Sequence, residues 1–179
     1  MQETPIPANP DHSPHIRPLR VRDVPSLLHF KKAIECEAAH LALGNGERTE
    51  TVIHALARMF VNRTRTRTLV AVHNGQVVGH VTVIRARFKK LRRNAYLTIA
   101  VAAAYRGTGL GSRMMHAAET DALSRGARRM ELEVFAKNTR AIALYERLGY
   151  AEEGRKRGAV DDGDGFDDIV FMAKPLGQA

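Results

Sequence analysis

Ala95-Tyr96-Leu97-Thr98-Ile99-Ala100-Val101, a short spacer, then Arg106-Gly107-Thr108-Gly109-Leu110-Gly111-Ser112: on this stretch the fold of the chain turns. Larger apolar residues at Leu97, Ile99 and Val101 have the two-residue period of a β-strand, expected to end near Ala103. From Leu110 onward Met114, Ala117, Ala118 and Ala122 recur at helical spacing, and Gly126 stands where a helix would stop. The order is strand, glycine turn, helix. Bare backbone in such a turn lets amide N–H groups converge on an anion, and the helix N-terminus adds unpaired N–H groups and the positive end of its dipole. A diphosphate there needs no lysine, and Arg106 adds a charge. The P-loop pattern fails because Ser112-Arg113 follows Gly111. The dinucleotide spacing fails because Ser112 stands where its last glycine belongs. The plain alternative is a tight strand-to-helix turn with no ligand.

Downstream lie Arg129-Met130-Glu131-Leu132-Glu133-Val134, then Asn138, then Ala143-Leu144-Tyr145-Glu146-Arg147-Leu148-Gly149-Tyr150. Arg106, Gly109 and Gly111 fill the pattern Arg/Gln-x-x-Gly-x-Gly/Ala, and with these later segments the chain resembles the GNAT N-acetyltransferases. The resemblance runs over residues 15–175 and is strongest from Leu97 to Tyr150.

With 179 residues and 44% hydrophobic content the chain can bury one full-sized core and is too short for two ordinary domains. The expected division is a disordered arm over residues 1–14 and a single N-acetyltransferase domain over 15–175. No run reaches the ~18 to 20 apolar residues that span a bilayer, and Met1 to Pro14 is polar and proline-rich, so a cytoplasmic protein without a membrane partner is expected. Cys36, the lone cysteine, excludes an internal disulfide and a multi-cysteine metal site; its apolar helical setting suits a buried thiol, and no metal site is expected.

The formal charge of +9 favours acidic ligands. Arg85, Arg87, Lys89, Lys90, Arg92 and Arg93 crowd the segment between two expected strands. They read either as a solvated hairpin tip or as a docking edge for an acidic partner such as RNA. Phe88 is the only aromatic residue inside that run, too few for a stacking platform.

Around the central unit the pattern predicts a strand at Ile16–Arg20 and helices at Val24–His40 and Thr49–Val61, the helices separated by Gly44-Asn45-Gly46. Leu69–His73 and Val77–Ile84 flank Asn74-Gly75, a tight-hairpin signal because both turn positions tolerate positive φ. A further helix begins at Asn138, whose side chain suits an N-cap. It carries Ala141, Ile142, Tyr145 and Leu148 on one face and stops at Gly149. Two last strands are expected near Tyr150–Arg157 and Phe166–Lys174.

The resemblance implies a mixed α/β fold: a twisted, mostly antiparallel sheet of about seven strands with a splayed parallel central pair, and about four helices. It implies acetyl-CoA as cosubstrate, its pantetheine arm against Ile99 and Val101 and its diphosphate over Arg106, Gly107, Thr108, Gly109, Leu110, Gly111 and Ser112. Asn138 would bond the pantetheine, and the Val101 N–H would meet the oxyanion. Tyr145, seven residues beyond Asn138, matches the family's acid that protonates the departing thiolate; a core aromatic is its plain alternative. Where many relatives carry a glutamate on the central strand, this chain has Tyr96. The amine's proton must go elsewhere, and Glu133 is the first candidate ahead of Glu35 and Glu37.

The activity implied is direct acetyl transfer to a primary amine of a small molecule. A ribosomal-protein-type N-terminal acetyltransferase and a noncatalytic acyl-CoA-binding or RNA-associated module are the other readings. The closing segment, with Asp168 expected to pair with Arg155 or Arg157, does not choose among them. Relatives are often dimers, so a homodimer is expected by analogy alone.

Overall fold

The computed structural model describes residues 13–37, 51–62, 64–161 and 165–177. Strand β1 is His15–Pro18, and a 3₁₀ turn at Val21–Asp23 leads into helix α1, Val24–Glu37; helix α2 is Val52–Val61. Strands β2 (Thr66–His73), β3 (Gln76–Arg85) and β4 (Asn94–Val101) form a meander, followed by α3 (Leu110–Ser124), β5 (Arg129–Phe135) and α4 (Thr139–Arg147). Strands β6 (Ala151–Asp161) and β7 (Phe166–Pro175) close the chain. All seven strands lie in one sheet in the order β1-β2-β3-β4-β5-β7-β6, and every pairing is antiparallel except β4 with β5. This is the mixed α/β architecture expected.

Both loop signals act where the sequence puts them. Asn74 and Gly75 take φ of 48° and 77° and join β2 to β3, and Gly126 and Gly149, with φ of 88° and 87°, follow α3 and α4. Residues 86–93 connect β3 to β4 through one 3₁₀ turn at Lys89–Leu91. Helix α1 starts one residue before Pro25, where a missing N–H costs nothing. The arm expected over 1–14 falls outside the described residues up to position 12, as does the loop at Gly44-Asn45-Gly46. Cys36, Glu35 and Glu37 lie in α1, and their side chains are outside the described ones.

One expectation fails at the C-terminal hairpin. Asp168 forms no close ion pair with Arg155 or Arg157, although Arg155 feels its charge: the aspartate Oδ1 accepts the Gly158 N–H at 2.9 Å, while Arg155 forms a bidentate pair with Glu152 at 2.7 and 2.9 Å. The register of β6 on β7 shifts between Lys156 and Val160, which turns a backbone donor toward the aspartate.

Two apolar layers sandwich the sheet. On one face α3 and α4 bury Leu97, Met114, Met115, Met130, Leu132, Tyr145, Val170 and Met172; on the other α1 lays Leu27, Phe30 and Ile34 against Val70 and Val77. Ser26 ties α1 down by accepting the Val77 N–H at 2.9 Å.

Asp23, buried at the entrance to α1, accepts from Arg17 at 2.5 and 2.9 Å and from the Arg20 N–H at 2.8 Å. These bonds, the Arg17 guanidinium first, hold its carboxyl below the usual carboxylate range. A carboxyl depressed on folding contributes stability above its ordinary value of about 4, and that contribution is lost as pH falls through the folded value. Asp23→Asn is therefore expected to cost about 1–3 kcal/mol at pH 7. In urea unfolding at a series of pH values, the gap from wild type should narrow below about pH 4; a gap independent of pH would refute the ionic role.

Candidate active site

The site begins with a shortage of partners. β4 and β5 pair only at Asn94↔Arg129, Ala95↔Met130 and Tyr96↔Glu131, after which β5 continues on β7 and β4 continues on β3 alone. From Leu97 onward the two parallel strands diverge. The Ala102 N–H donates to Val78 O at 2.9 Å, so strand alternation turns the N–H groups of Val101 and Ile99 away from β3, toward the gap.

A cavity of about 750 Å³ occupies that gap. Its wall includes Ile34 and Ala100, which belong to the α1 face of the sheet, and Leu144 and Tyr145, which belong to the α3/α4 face. The cavity therefore runs through the sheet from one face to the other.

At its upper rim the glycine turn adopts the form that the sequence suggests. Gly107 and Gly109 have φ of 84° and 80°, the latter serving as N-cap of α3 with no side chain to bond the helix N–H groups. Those donors are left to whatever enters the cavity. Arg106 donates from Nε to Val101 O at 3.0 Å, which fastens the turn to the end of β4. Thr108 donates its hydroxyl to Tyr105 O at 2.8 Å.

Of the residues singled out in the sequence, Ile99, Val101, Arg106, Gly107, Gly109, Gly111, Ser112, Asn138 and Tyr145 are brought together on this cavity. Three are absent from the described wall. Leu110 points into the core at 1% exposure, Thr108 caps its own turn, and Glu133 stands exposed on β5 between buried Leu132 and Val134. Asn138 does cap α4, its Oδ1 accepting the Ala141 N–H at 3.2 Å, and it also lines the cavity. The oxygen serves the helix; the amide nitrogen is the group with a donor to offer.

Sequence reasoning does not reach Lys137, Thr139, Arg140 and Arg147, all on the wall. The available signal is spacing, because Arg140 and Arg147 are seven residues apart and so share a face of α4. Together with Arg106 they give the cavity four cationic side chains and no carboxylate among its lining residues.

Tyr145 is buried, its ring tilted against that of Tyr150 at 6.0 Å between centroids. Burial first, and the neighbouring Tyr96 second, push its hydroxyl up to about 12, so it holds its proton at neutral pH. Half-buried Tyr96 is pushed up too, by burial and then by the charge of Glu133. Tyr96 thus feels the charge of Glu133, and Tyr145 feels Tyr96. Glu131, on the same face of β5 as Glu133, is engaged by Asn94 and Arg129 at 3.0 and 2.7 Å.

A family model described as the acetyltransferase (GNAT) family matches residues 37–150, more than half of the chain. The chain belongs to the GNAT acetyltransferase family. It is 38% identical over 78 residues to the [ribosomal protein bS18]-alanine N-acetyltransferase of Escherichia coli, a match covering 44% of this chain and 53% of that protein. The chain thus spans about half the length of the curated relative it matches. A GNAT-family acetyltransferase from Streptococcus pneumoniae superposes with a TM-score of 0.86 at 25% identity, over 92% of this chain and 99% of that one. A GNAT-superfamily phosphinothricin acetyltransferase from Sinorhizobium meliloti, solved in complex with acetyl-CoA, shares the fold at a TM-score of 0.79 and 20% identity, over 92% and 89% of the two chains.

Acetyl-CoA is the family's cosubstrate, and this GNAT cavity suits it. Coenzyme A joins a nucleotide end, with its diphosphate and a ribose phosphate, to a long, uncharged arm. A rim of cations and free N–H groups above a strand edge with unpaired backbone matches both parts. Among the described residues no helix is long and apolar enough to cross a membrane.

Proposed function

We propose that this chain is an acetyl-CoA-dependent N-acetyltransferase that acts on a primary amine. The observation that carries the reading is a cavity with four cations, no carboxylate and an open helix N-terminus at one end, and a protonated, buried tyrosine on its wall. Arg106, Gly107, Gly109, Gly111 and Ser112 receive the diphosphate; Ile99, Val101 and the Asn138 amide hold the arm, and Lys137, Arg140 and Arg147 balance the remaining charge. Acetyl-CoA supplies an activated thioester. Tyr145 gives its proton to the departing sulfur, and Val101 N–H, turned into the gap, supports the carbonyl oxygen.

The amine must lose a proton before it attacks, and Glu133, whose charge Tyr96 feels, is the acceptor we assign. Glu133→Gln is expected to lower kcat/KM about 10- to 100-fold at pH 7, with the deficit shrinking as pH approaches the amine's own value of about 10. A pH profile that overlays wild type would remove Glu133 from the mechanism.

A small-molecule amine in the cytoplasm is the first acceptor class, handled by the unit over residues 15–175. A second class, the α-amine of a protein N-terminus, is favoured by the 38% identity to a bS18-alanine N-acetyltransferase. Thiol release from acetyl-CoA, followed with free amino acids, polyamines and an alanine-first peptide, decides between them. Tight coenzyme A binding with no turnover on any acceptor would overturn both.

A further inference from the structure

The chain's charge is concentrated away from the cavity. From Thr51 to Thr120 only Glu119 is acidic, and residues 51–118 hold 12 cations and no carboxylate. The rest of the chain carries 16 cations against 19 carboxylates, so this segment accounts for the whole positive excess.

The fold gathers most of it at one end. β2 starts, β3 stops, and β4 and β5 start at the same edge of the sheet, opposite the end where Ile99 and Val101 meet the cavity. Backbone contacts lock three loops together there: Arg85 Nη2 donates to Arg92 O at 3.0 Å, Arg128 N to Arg93 O at 2.7 Å, and Arg125 Nη2 to Thr64 O at 2.9 Å. Arg65, Arg87, Lys89, Lys90, Arg92 and Arg93 are exposed, and none has a carboxylate partner among the described residues. Nearby carboxylates are already used, Asp121 by Arg67 and Arg125, Glu131 and Glu153 by Arg129. Inside the basic run Phe88 is 70% exposed and Leu91 48%.

We infer that this end of the sheet is a docking surface for single-stranded RNA. A cluster of like charges without compensation is unfavourable alone and is relieved by an array of phosphates, which arginine forks grip in pairs. Protein interfaces place an apolar core inside a polar rim, whereas here exposed Ile84, Phe88 and Leu91 are interspersed among six exposed cations. The basic residues sit on loops and one 3₁₀ turn, with no helix among them to enter the major groove of a DNA duplex. Phe88 is no platform for a run of bases, but one unstacked base can lie on its exposed ring while the backbone follows the cations. Three apolar side chains spread among cations give little area to insert into a lipid surface.

The test is fluorescence anisotropy with a labelled single-stranded RNA of about 20 nucleotides, on the full chain, across a salt series. Wild type should saturate below about 10 µM at moderate salt. The triple variant Lys89→Glu, Lys90→Glu, Arg92→Glu should bind at least about 10-fold more weakly, with a salt slope shallower by about 2. The control triple Arg22→Glu, Lys156→Glu, Arg157→Glu, of the same net charge, should stay within about twofold of wild type, as should coenzyme A affinity in both. Phe88→Ala, which changes no charge, should weaken RNA at least about fivefold. No saturation by wild type, equal weakening in both triples, or displacement of RNA by polyglutamate or phosphatidylserine vesicles as effective as by unlabelled RNA would each overturn the inference. RNA binding and acetyl transfer are read separately, so failure of one leaves the other standing.

Discussion

Tyr145→Phe is expected to lower turnover about 100- to 10,000-fold while leaving coenzyme A affinity within about twofold. The phenol lies on the cavity wall, buried, with its hydroxyl pushed up to about 12, so it is protonated throughout the neutral range. In the proposed mechanism a group in that state donates its proton to the sulfur as it departs and has nothing to give before that moment. Its removal therefore falls on kcat and not on binding. Phenylalanine keeps the ring that packs beside Tyr150 within the core, so the melting temperature should hardly move. Free-thiol release and isothermal titration with coenzyme A measure the two halves. Turnover within threefold of wild type would leave Tyr145 as a core aromatic only, the plain alternative in its sequence pattern.

The second large effect belongs to the glycine turn, where a matched pair separates strain from ligand contact. Gly109 and Gly75 have φ of 80° and 77°, and an added Cβ meets nothing within 4 Å at either one. Alanine in that region costs about 1–2 kcal/mol at each, so Gly109→Ala and Gly75→Ala should depress the melting temperature similarly. Only Gly109 caps α3 at the cavity rim. There a methyl group stands off a diphosphate, or the turn abandons φ near 80° and the N–H array disperses. Coenzyme A affinity should fall about 10- to 100-fold in Gly109→Ala and stay unchanged in Gly75→Ala. Equal affinities would mean that the turn holds no phosphate.

Much of this site is legible before folding because its signals are local. Asn74-Gly75, Gly109 and Gly149 each demand a backbone conformation open to few residues. The period of Leu97, Ile99 and Val101 against that of Met114, Ala118 and Ala122 separates strand from helix within a dozen positions. The nine predicted residues that meet on the cavity come from two such strand-turn-helix units, and local geometry carries each to the same end of the sheet. Lys137, Arg140 and Arg147 escape notice because charges on a turn or a helical face read as solvated until the fold sets a cavity against them. Asp168 is misread for a related reason: its partner depends on the register shift between Lys156 and Val160, and the alternation of a strand does not encode a bulge.

What the sequence determined by itself is the set of elements and the turn that presents bare backbone to an anion, since both follow from backbone preferences and from side-chain periods of two and 3.6. What the tertiary structure decided is which charges meet. The gap opens because β5 leaves β4 after Glu131 to remain on β7, and only then do four cations from two segments face one cavity with Tyr145 on its wall. Electrostatic environments are sums over neighbours distant along the chain, so they come into being only when the sheet is assembled.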